Sequence, residues 1–360
     1  MRVIAIANQK GGCGKTTTAV NLSAALSSNG RKVLLIDFDP QAHATAGLNV
    51  QSKTSIYDCL SKLSTQKSDI RDIIVNVDSN FDIAPSHIML STLEQELAGE
   101  ISRESRLQET LSSFTNEYDY CLIDCPPNLG ILTVNAICAA QEVILPAEPS
   151  RFSVDGLSRL IDIIALIKER LSRQVSYRVL VTIFDSRLKF AFKILAEMRN
   201  KFSRNMFSTI IHVNVKLKES QSSGVSVLAY DKYSRGAKDY YSLAKEIIKQ
   251  EKEAAPLQDK MRELVKKHLP RLTDVTLKVD LPGAKDVFVA GDFNGWRADA
   301  TSAMANSNNG TWSVRMKLKP GQYRYRFVVD GKWISDPGNP TTEINPYGEY
   351  DSLLTIAPSA

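Results

Sequence analysis

The sequence is poor in cysteine, histidine and tryptophan: five, four and three among 360 residues. The cysteines (Cys13, Cys59, Cys121, Cys125 and Cys138) are odd in number, and none follows residue 138. That distribution does not make a disulfide framework and points to a reducing compartment. Cys121 and Cys125 flank the strand-like YCLIDC and read as small core residues. A metal or redox centre would need more Cys or His nearby than the chain has. No apolar run reaches the roughly 18 residues of a membrane span. The opening MRVIAIANQKGG is an apolar strand running into a glycine loop, without the cleavage site of a secretory signal. A cytoplasmic protein is expected.

Apolar content of 43% and charged content of 24% are ordinary for a globular protein, and the length suggests two or three domains. The net charge is +5, but residues 273–360 carry nine Lys/Arg against ten Asp/Glu, which leaves +6 on residues 1–272. The acidic partner that such a charge favours belongs to the N-terminal part.

Apolar strands and amphipathic helices alternate through residues 1–252. RVIAIAN, VLLIDFD, DYCLIDC, EVILPAE, YRVLVTIF and STIIHV are continuous apolar runs, as in a sheet covered on both faces. Between them, Leu157, Leu160, Ile161, Ile164, Ile167 and Leu171 recur at helical spacing. The expectation is an α/β domain with a doubly wound, mostly parallel sheet. Residues 253–272 are charged, hold Pro256 and Pro270, and read as a linker with one short helix. From 273 to 360 the period becomes two, as in VTLKVDL and WSVRMKL, and Asp330-Gly331 sits between strand-like arms. A small all-β immunoglobulin-like sandwich is expected there.

KGGCGKTTT at residues 10–18 lies between a strand and a helix, the context of a phosphate-binding P-loop. Gly11, Gly12, Cys13, Gly14, Lys15, Thr16 and Thr17 would cradle the phosphates of ATP with backbone N–H groups and the helix N-terminus. Lys15 reaches the β- and γ-phosphates, the Thr16 hydroxyl ligates Mg2+, and Asp124, at a strand end, holds the metal's water shell.

The loop begins with Lys10, and K-G-G-x-G-K-T resembles the deviant Walker A motif of the ParA/MinD superfamily of P-loop ATPases. LLIDFDPQAHAT resembles the D-x-D-P-Q…A-T block of its ParA/Soj partition ATPases. IDCPPNLG (123–130), VILPAEPSRFSVDGL (143–157) and YDKYSRGAKDYYSLAKEI (230–247) also match the family pattern. The resemblance covers about residues 1–250. It implies Mg2+-dependent ATP hydrolysis in a homodimer formed around ATP. It also implies that Lys10 contacts the partner's nucleotide, Asp39 positions or activates the attacking water, and Asp37 supports the metal region. Phosphoryl transfer of this kind needs positioning and charge neutralisation more than covalent chemistry.

The family resemblance further implies DNA binding without sequence preference, a nucleoid-associated location, and a ParB-like or other activating partner. Lys193, Arg199, Lys216, Lys218 and Arg235 are the candidate phosphate contacts; a merely solvated basic face is the competing reading. Where the family often has I-P-R-N-V-R-L, this chain has IHVNVKL, so His212 and Val213 alter part of that surface. The chain opens on its first strand, so an N-terminal operator-reading domain is not expected. In the linker, Leu257, Met261, Leu264 and Val265 run beside Lys260, Arg262, Lys266 and Lys267. That stripe is expected to pack on a neighbouring domain; a basic amphipathic helix lying on a membrane is the rival, and it lacks an aromatic anchor.

VFVAGDFNGW (287–296), YRYRFVVDGKWISDPGNP (323–340) and NPYGEYDSLLTI (345–356) resemble carbohydrate-binding module family 48, the glycogen-binding domain type of the AMP-activated protein kinase β subunit. That resemblance implies stacking of α-glucan on Trp296 and Trp333, with Arg326 and Ser352 at sugar-contacting positions. Ser352 falls where glycogen binders usually carry asparagine. The module type has no catalytic carboxylate pair, so glycosidase chemistry is not expected.

Two functional classes remain open. One is a positioning ATPase whose cargo is a glucan body gripped by the sandwich. The other is a chromosome or plasmid partition ATPase acting with a centromere-binding partner, with the sandwich as a protein-interaction module. A third, a P-loop reductase with an iron–sulfur cluster, fits neither the D-P-Q block nor the cysteine positions.

Overall fold

A computed structural model describes residues 1–357 except 101, 115–116, 172–173, 269–271, 300 and 308–309, with residues 254–268 described in backbone alone. The chain divides into two compact units, Met1–Ala254 and Ala255–Ala360.

The first unit is built on eight strands: β1 (Arg2–Ile6), β2 (Val33–Asp37), β3 (Val75–Asp78), β4 (Phe81–Ala84), β5 (Tyr120–Asp124), β6 (Glu142–Ala147), β7 (Ser176–Phe184) and β8 (Met206–His212). Their order is β3-β4-β2-β5-β1-β6-β7-β8. All neighbours are parallel except β3, which runs antiparallel on β4. The β3–β4 pair is short, with mixed polarity, and leaves no continuous apolar run in the sequence. Alternate residues feed two separate cores. Val3, Ala5, Leu34 and Ile36 face one; Ile4, Ile6, Val33 and Leu35 face the other. A sheet buried on both faces is why these strands read as unbroken apolar runs. The central β1 lies between β5 and β6, where the strand order reverses, and ligands of such sheets bind outside the carboxyl ends at that point.

The helix Arg151–Arg170 buries Leu157, Leu160, Ile164 and Ile167 on one stripe. The last helix, Arg235–His268, runs 34 residues. Residues 253–268 therefore continue a helix begun far upstream, rather than forming a linker with a short helix of their own. Pro256 removes one backbone donor and usually kinks or ends a helix. Here its neighbours are Glu, Lys, Ala, Gln and Leu, which are strong helix formers. The amphipathic stripe of side chains from Leu257 to Lys267 lies outside the described residues.

The second unit has β9 (Thr273–Asp280), β10 (Val287–Gly291), β11 (Ala305–Asn306), β12 (Thr311–Leu318), β13 (Gly321–Val329), β14 (Lys332–Ile334), β15 (Thr342–Ile344) and β16 (Tyr350–Ile356). One sheet is β11-β12-β9; the other is β10-β13-β16-β15, with β14 paired to β13. Leu277, Val279 and Trp312 from the first sheet meet Val287, Val289, Tyr325 and Phe327 from the second in one core. At the β13–β14 turn, Asp330 and Gly331 both take positive φ, 48° and 81°, the conformation a two-residue hairpin of matching twist requires.

Candidate functional site

The segment between β1 and the helix Lys15–Ser28 turns at the carboxyl edge of the sheet. Gly12 and Gly14 have φ of +73° and +86°, which side chains adopt only with strain. Three contacts fix the loop. The Thr182 hydroxyl donates to the Cys13 carbonyl at 2.7 Å. Asn8 Nδ2 donates to the Pro146 carbonyl at 2.6 Å, and Asn8 Oδ1 accepts from the Lys10 amide at 3.0 Å. The first amides of the helix are left to face an anion. They open on a cleft of about 560 Å³, lined by the loop, Asp39 and Gln41 and, from β7 and the segment after β8, by Thr182, Ile183, Val213 and Asn214.

Behind the loop stand three acids. Asp37 and Asp124 are register partners at the ends of β2 and β5. Asp37 is buried; its Oδ2 accepts from the Thr45 amide at 2.8 Å and hydroxyl at 2.7 Å. Burial nevertheless pushes its carboxyl up to about 6, against those hydrogen bonds. Asp124 is fully buried, and among the described residues neither of its oxygens completes a hydrogen bond. Burial and the neighbouring Asp37 charge hold its carboxyl well above the usual range, opposed by the Thr16 hydroxyl and Lys15. Asp39 lines the cleft and accepts the Gln41 amide at 3.0 Å.

An orphaned buried carboxylate beside a threonine hydroxyl and a lysine suits a small hard cation. No group of three or more His, Cys, Asp or Glu forms a metal cluster among the described residues. Mg2+ fits this arrangement, because it keeps several waters and shares its shell with phosphate oxygens. Thr16 and Asp124 would hold it, with Asp37 beside them.

The two loop lysines differ. Lys15 is buried and donates to the Lys10 carbonyl at 3.3 Å. Lys10 Nζ lies 2.7 Å from Glu148 and 3.4 Å from the Ser150 hydroxyl. Cys13 is buried behind the loop, and burial raises its thiol. Thr17 lines the cleft with Thr16. The sequence singled out neither Asn8 nor Thr182, and Glu148 lies within the family-like VILPAEPSRFSVDGL without a role assigned to it there.

The basic residues are dispersed. Lys193 and Arg199 are exposed on the helix Lys189–Phe202, and Lys218 reaches the nucleotide cleft. Among the described residues these three have no acidic partner. Lys216 pairs with Glu219 at 2.7 Å. Arg235 is drawn to Asp239 at 3.1 Å and to the His212 ring at 3.0 Å, so its charge is partly spent within the fold.

In the sandwich, the Trp296 and Trp333 rings lie 6.3 Å apart, tilted by 34°. Trp296 takes a positive φ of 62° and is held by Nε1–H donating to Asp292 at 3.0 Å. Both rings border a hollow of about 490 Å³ with Arg324, Arg326, Asn345, Tyr347 and Asp351. Arg326 is largely buried, pairs with Glu349 and donates to the Trp333 carbonyl at 2.9 Å. Ser352 is fully buried, and its hydroxyl accepts from the Asp336 amide at 2.7 Å. Its neighbour Asp351 borders the hollow instead, holding Asn345 at 2.9 Å. The sequence did not single out Asp351, Asn345 or Tyr347; a fixed strand register would have found the first.

Residues 1–177 match the family described as an AAA domain, and residues 274–360 match the glycogen recognition site of AMP-activated protein kinase. The sporulation initiation inhibitor protein Soj of Bacillus subtilis is 40% identical over 248 residues, 68% of this chain and 98% of Soj. The chromosome partitioning protein ParA of Myxococcus xanthus is 37% identical over 260 residues, 71% of this chain and 90% of that protein. Among solved structures, cobyrinic acid a,c-diamide synthase of Mycobacterium smegmatis, with bound ATP analogue and magnesium, superposes with a TM-score of 0.61 at 28% identity, covering 70% of this chain and 96% of its own.

Proposed function

Because this chain belongs, through its first unit, to the ParA/Soj family of partition ATPases, we propose that it hydrolyses ATP with Mg2+ as a homodimer, binds DNA without sequence preference and positions an α-glucan body gripped by its sandwich. The observation that carries the reading is one chain holding both a P-loop cleft and a two-tryptophan hollow. The cleft supports the chemistry. Lys15, Thr16 and the amides of Gly11 to Thr17 face the phosphates, and Asp39 reaches into the cleft where an attacking water would be held. Mg2+, when bound, neutralises phosphate charge and relieves the repulsion between Asp37 and Asp124. Lys10 of one subunit completes the charge around its partner's nucleotide. Exposed Lys193, Arg199 and Lys218 supply the phosphate contacts to DNA, with Lys216 and Arg235 contributing once released from their internal partners. The location that follows is the nucleoid, within the cytoplasm. Among the described residues no helix is long and apolar enough to cross a membrane.

The hollow supports the cargo. Pyranose rings stack on aromatic faces, and two tilted faces suit a curved chain such as an α-glucan. Arg326 and Asp351 supply polar edges for hydroxyls, while Ser352 supports the strand beneath. The second reading is a chromosome-partition ATPase with a ParB-like activator and the sandwich as a protein-binding module, favoured by the names of its relatives. Co-sedimentation with glycogen separates them, comparing the wild type with Trp296→Ala/Trp333→Ala in ATP and Mg2+. Pelleting of the wild type alone supports the glucan cargo. Absence of pelleting by folded wild type defeats it and leaves the second reading.

A further inference from the structure

We propose that Glu148 is a positioning residue that parks Lys10 on its own subunit, so that the lysine must leave Glu148 before it can serve a partner's nucleotide. The inference rests on the trans role of Lys10 proposed above. Lys10 has an amine that serves the reaction only across a dimer, yet in the single chain that amine is already engaged. Its Nζ is 2.7 Å from Glu148 Oε2 and 3.4 Å from the Ser150 hydroxyl.

The engagement is built in by the fold. Asn8 Nδ2 donates to the Pro146 carbonyl and so ties the end of β1 to the end of β6, and Asn8 Oδ1 accepts from the Lys10 amide. That bridge brings the Lys10 backbone beside β6, whose chain continues two residues past Pro146 to Glu148. Ser150 then caps the helix Arg151–Arg170 by accepting from Ser153, which fixes the turn carrying Glu148. The Lys10 carbonyl is occupied as well, by Lys15 Nζ at 3.3 Å. Backbone and side chain of Lys10 are thus both oriented within one subunit.

The pair is weak enough to exchange. The side chains of Lys10 and Glu148 are 39% and 40% exposed, so solvent screens their attraction. A phosphate carrying more negative charge, beside Mg2+ and shielded from water in a dimer, out-competes one half-exposed carboxylate for the same ammonium. The cost of the exchange is a Glu148 left without its cation near the partner. Glu148 therefore sets how readily ATP-loaded subunits pair.

The test measures dimer dissociation constants by sedimentation velocity with Mg2+ and a slowly hydrolysed ATP analogue, for wild type, Glu148→Gln, Glu148→Asp, Lys10→Ala and Lys10→Ala/Glu148→Gln. Thermal melts confirm folding of each. Glu148→Gln should tighten the dimer about two- to thirtyfold, the range that two exposed ion pairs, one per subunit, allow. Glu148→Asp should sit near wild type. The tightening should vanish when Lys10 is absent. Unchanged or weaker dimers in Glu148→Gln, or the same tightening in the Lys10→Ala background, would overturn the proposal. A Lys10→Ala protein that dimerises like wild type would instead defeat the trans-lysine reading.

Discussion

The Thr182 hydroxyl donates to the Cys13 carbonyl at 2.7 Å, so the end of β7 holds the middle of the phosphate loop. Both atoms are buried. Thr182→Val keeps the shape and removes the bond. It is expected to cost about 1 kcal/mol in stability. It should also weaken ATP binding several-fold, because the loop amides lose their fixed aim. Isothermal titration with ATP and Mg2+ beside a thermal melt checks both.

Gly14 makes a separate point about the same loop. A Cβ there would meet Thr182 no closer than 3.8 Å, so space is available. The obstacle is its φ of +86°. Gly14→Ala should therefore cost about 1–2 kcal/mol through backbone strain alone. Thr182→Ala should not rescue it, since no clash is relieved. Melting temperatures of the two single variants and the double variant decide this.

The loop and Lys15 were legible in the sequence because a phosphate site needs glycines and a lysine at fixed spacing after a strand, Asp124 because it ends an apolar strand, and Lys10 only through the family resemblance. The doubly wound sheet was legible because buried strands are apolar throughout. Three matters were not. Arg235 looks like a free cation until the fold brings Asp239 one helical turn away and His212 across from β8. The helix past residue 252 looks broken at Pro256, but a long run of helix formers carries it through. Ser352 and Asp351 differ by one place on β16, and one place in a strand changes the direction a side chain faces. The pairing of Ser352 with Tyr325 on one side and Thr342 on the other fixes that register.

The buried acids carry a prediction about stability. Asp124 sits at a strand end beside Asp37, where the Thr16 hydroxyl and Lys15 only partly offset its burial. Asp124→Asn keeps the volume and removes a carboxyl that burial and the Asp37 charge both disfavour in its ionised form. The nucleotide-free protein should gain about 1–2 kcal/mol, while stabilisation by ATP and Mg2+ should largely disappear. The pH dependence has a definite sign. Asp37 in the fold titrates at about 6, above its ordinary 3.8. The folded state thus binds the proton more tightly than the unfolded chain. Its contribution is most favourable below about 4 and is lost as pH rises towards 6. Denaturation of nucleotide-free Asp37→Asn should lack that part of the slope.

Arg326 carries the last prediction, because it serves the sandwich in two ways. Its guanidinium is almost enclosed, pairs with Glu349 and donates to the carbonyl of Trp333, the residue whose ring borders the hollow. Removing the side chain leaves that carbonyl without its donor and frees Glu349 from its cation. Arg326→Ala should therefore destabilise the sandwich by about 1–3 kcal/mol. Lys is not an equivalent replacement, since one ammonium cannot span both partners with the geometry of a planar fork. Glycogen retention should fall in Arg326→Ala and recover only in part in Arg326→Lys, whereas Glu349→Gln should leave Trp333 oriented and retention near wild type. Retention unaffected in Arg326→Ala would mean that Trp333 is held by its strand alone and that the guanidinium contributes nothing to the sugar face.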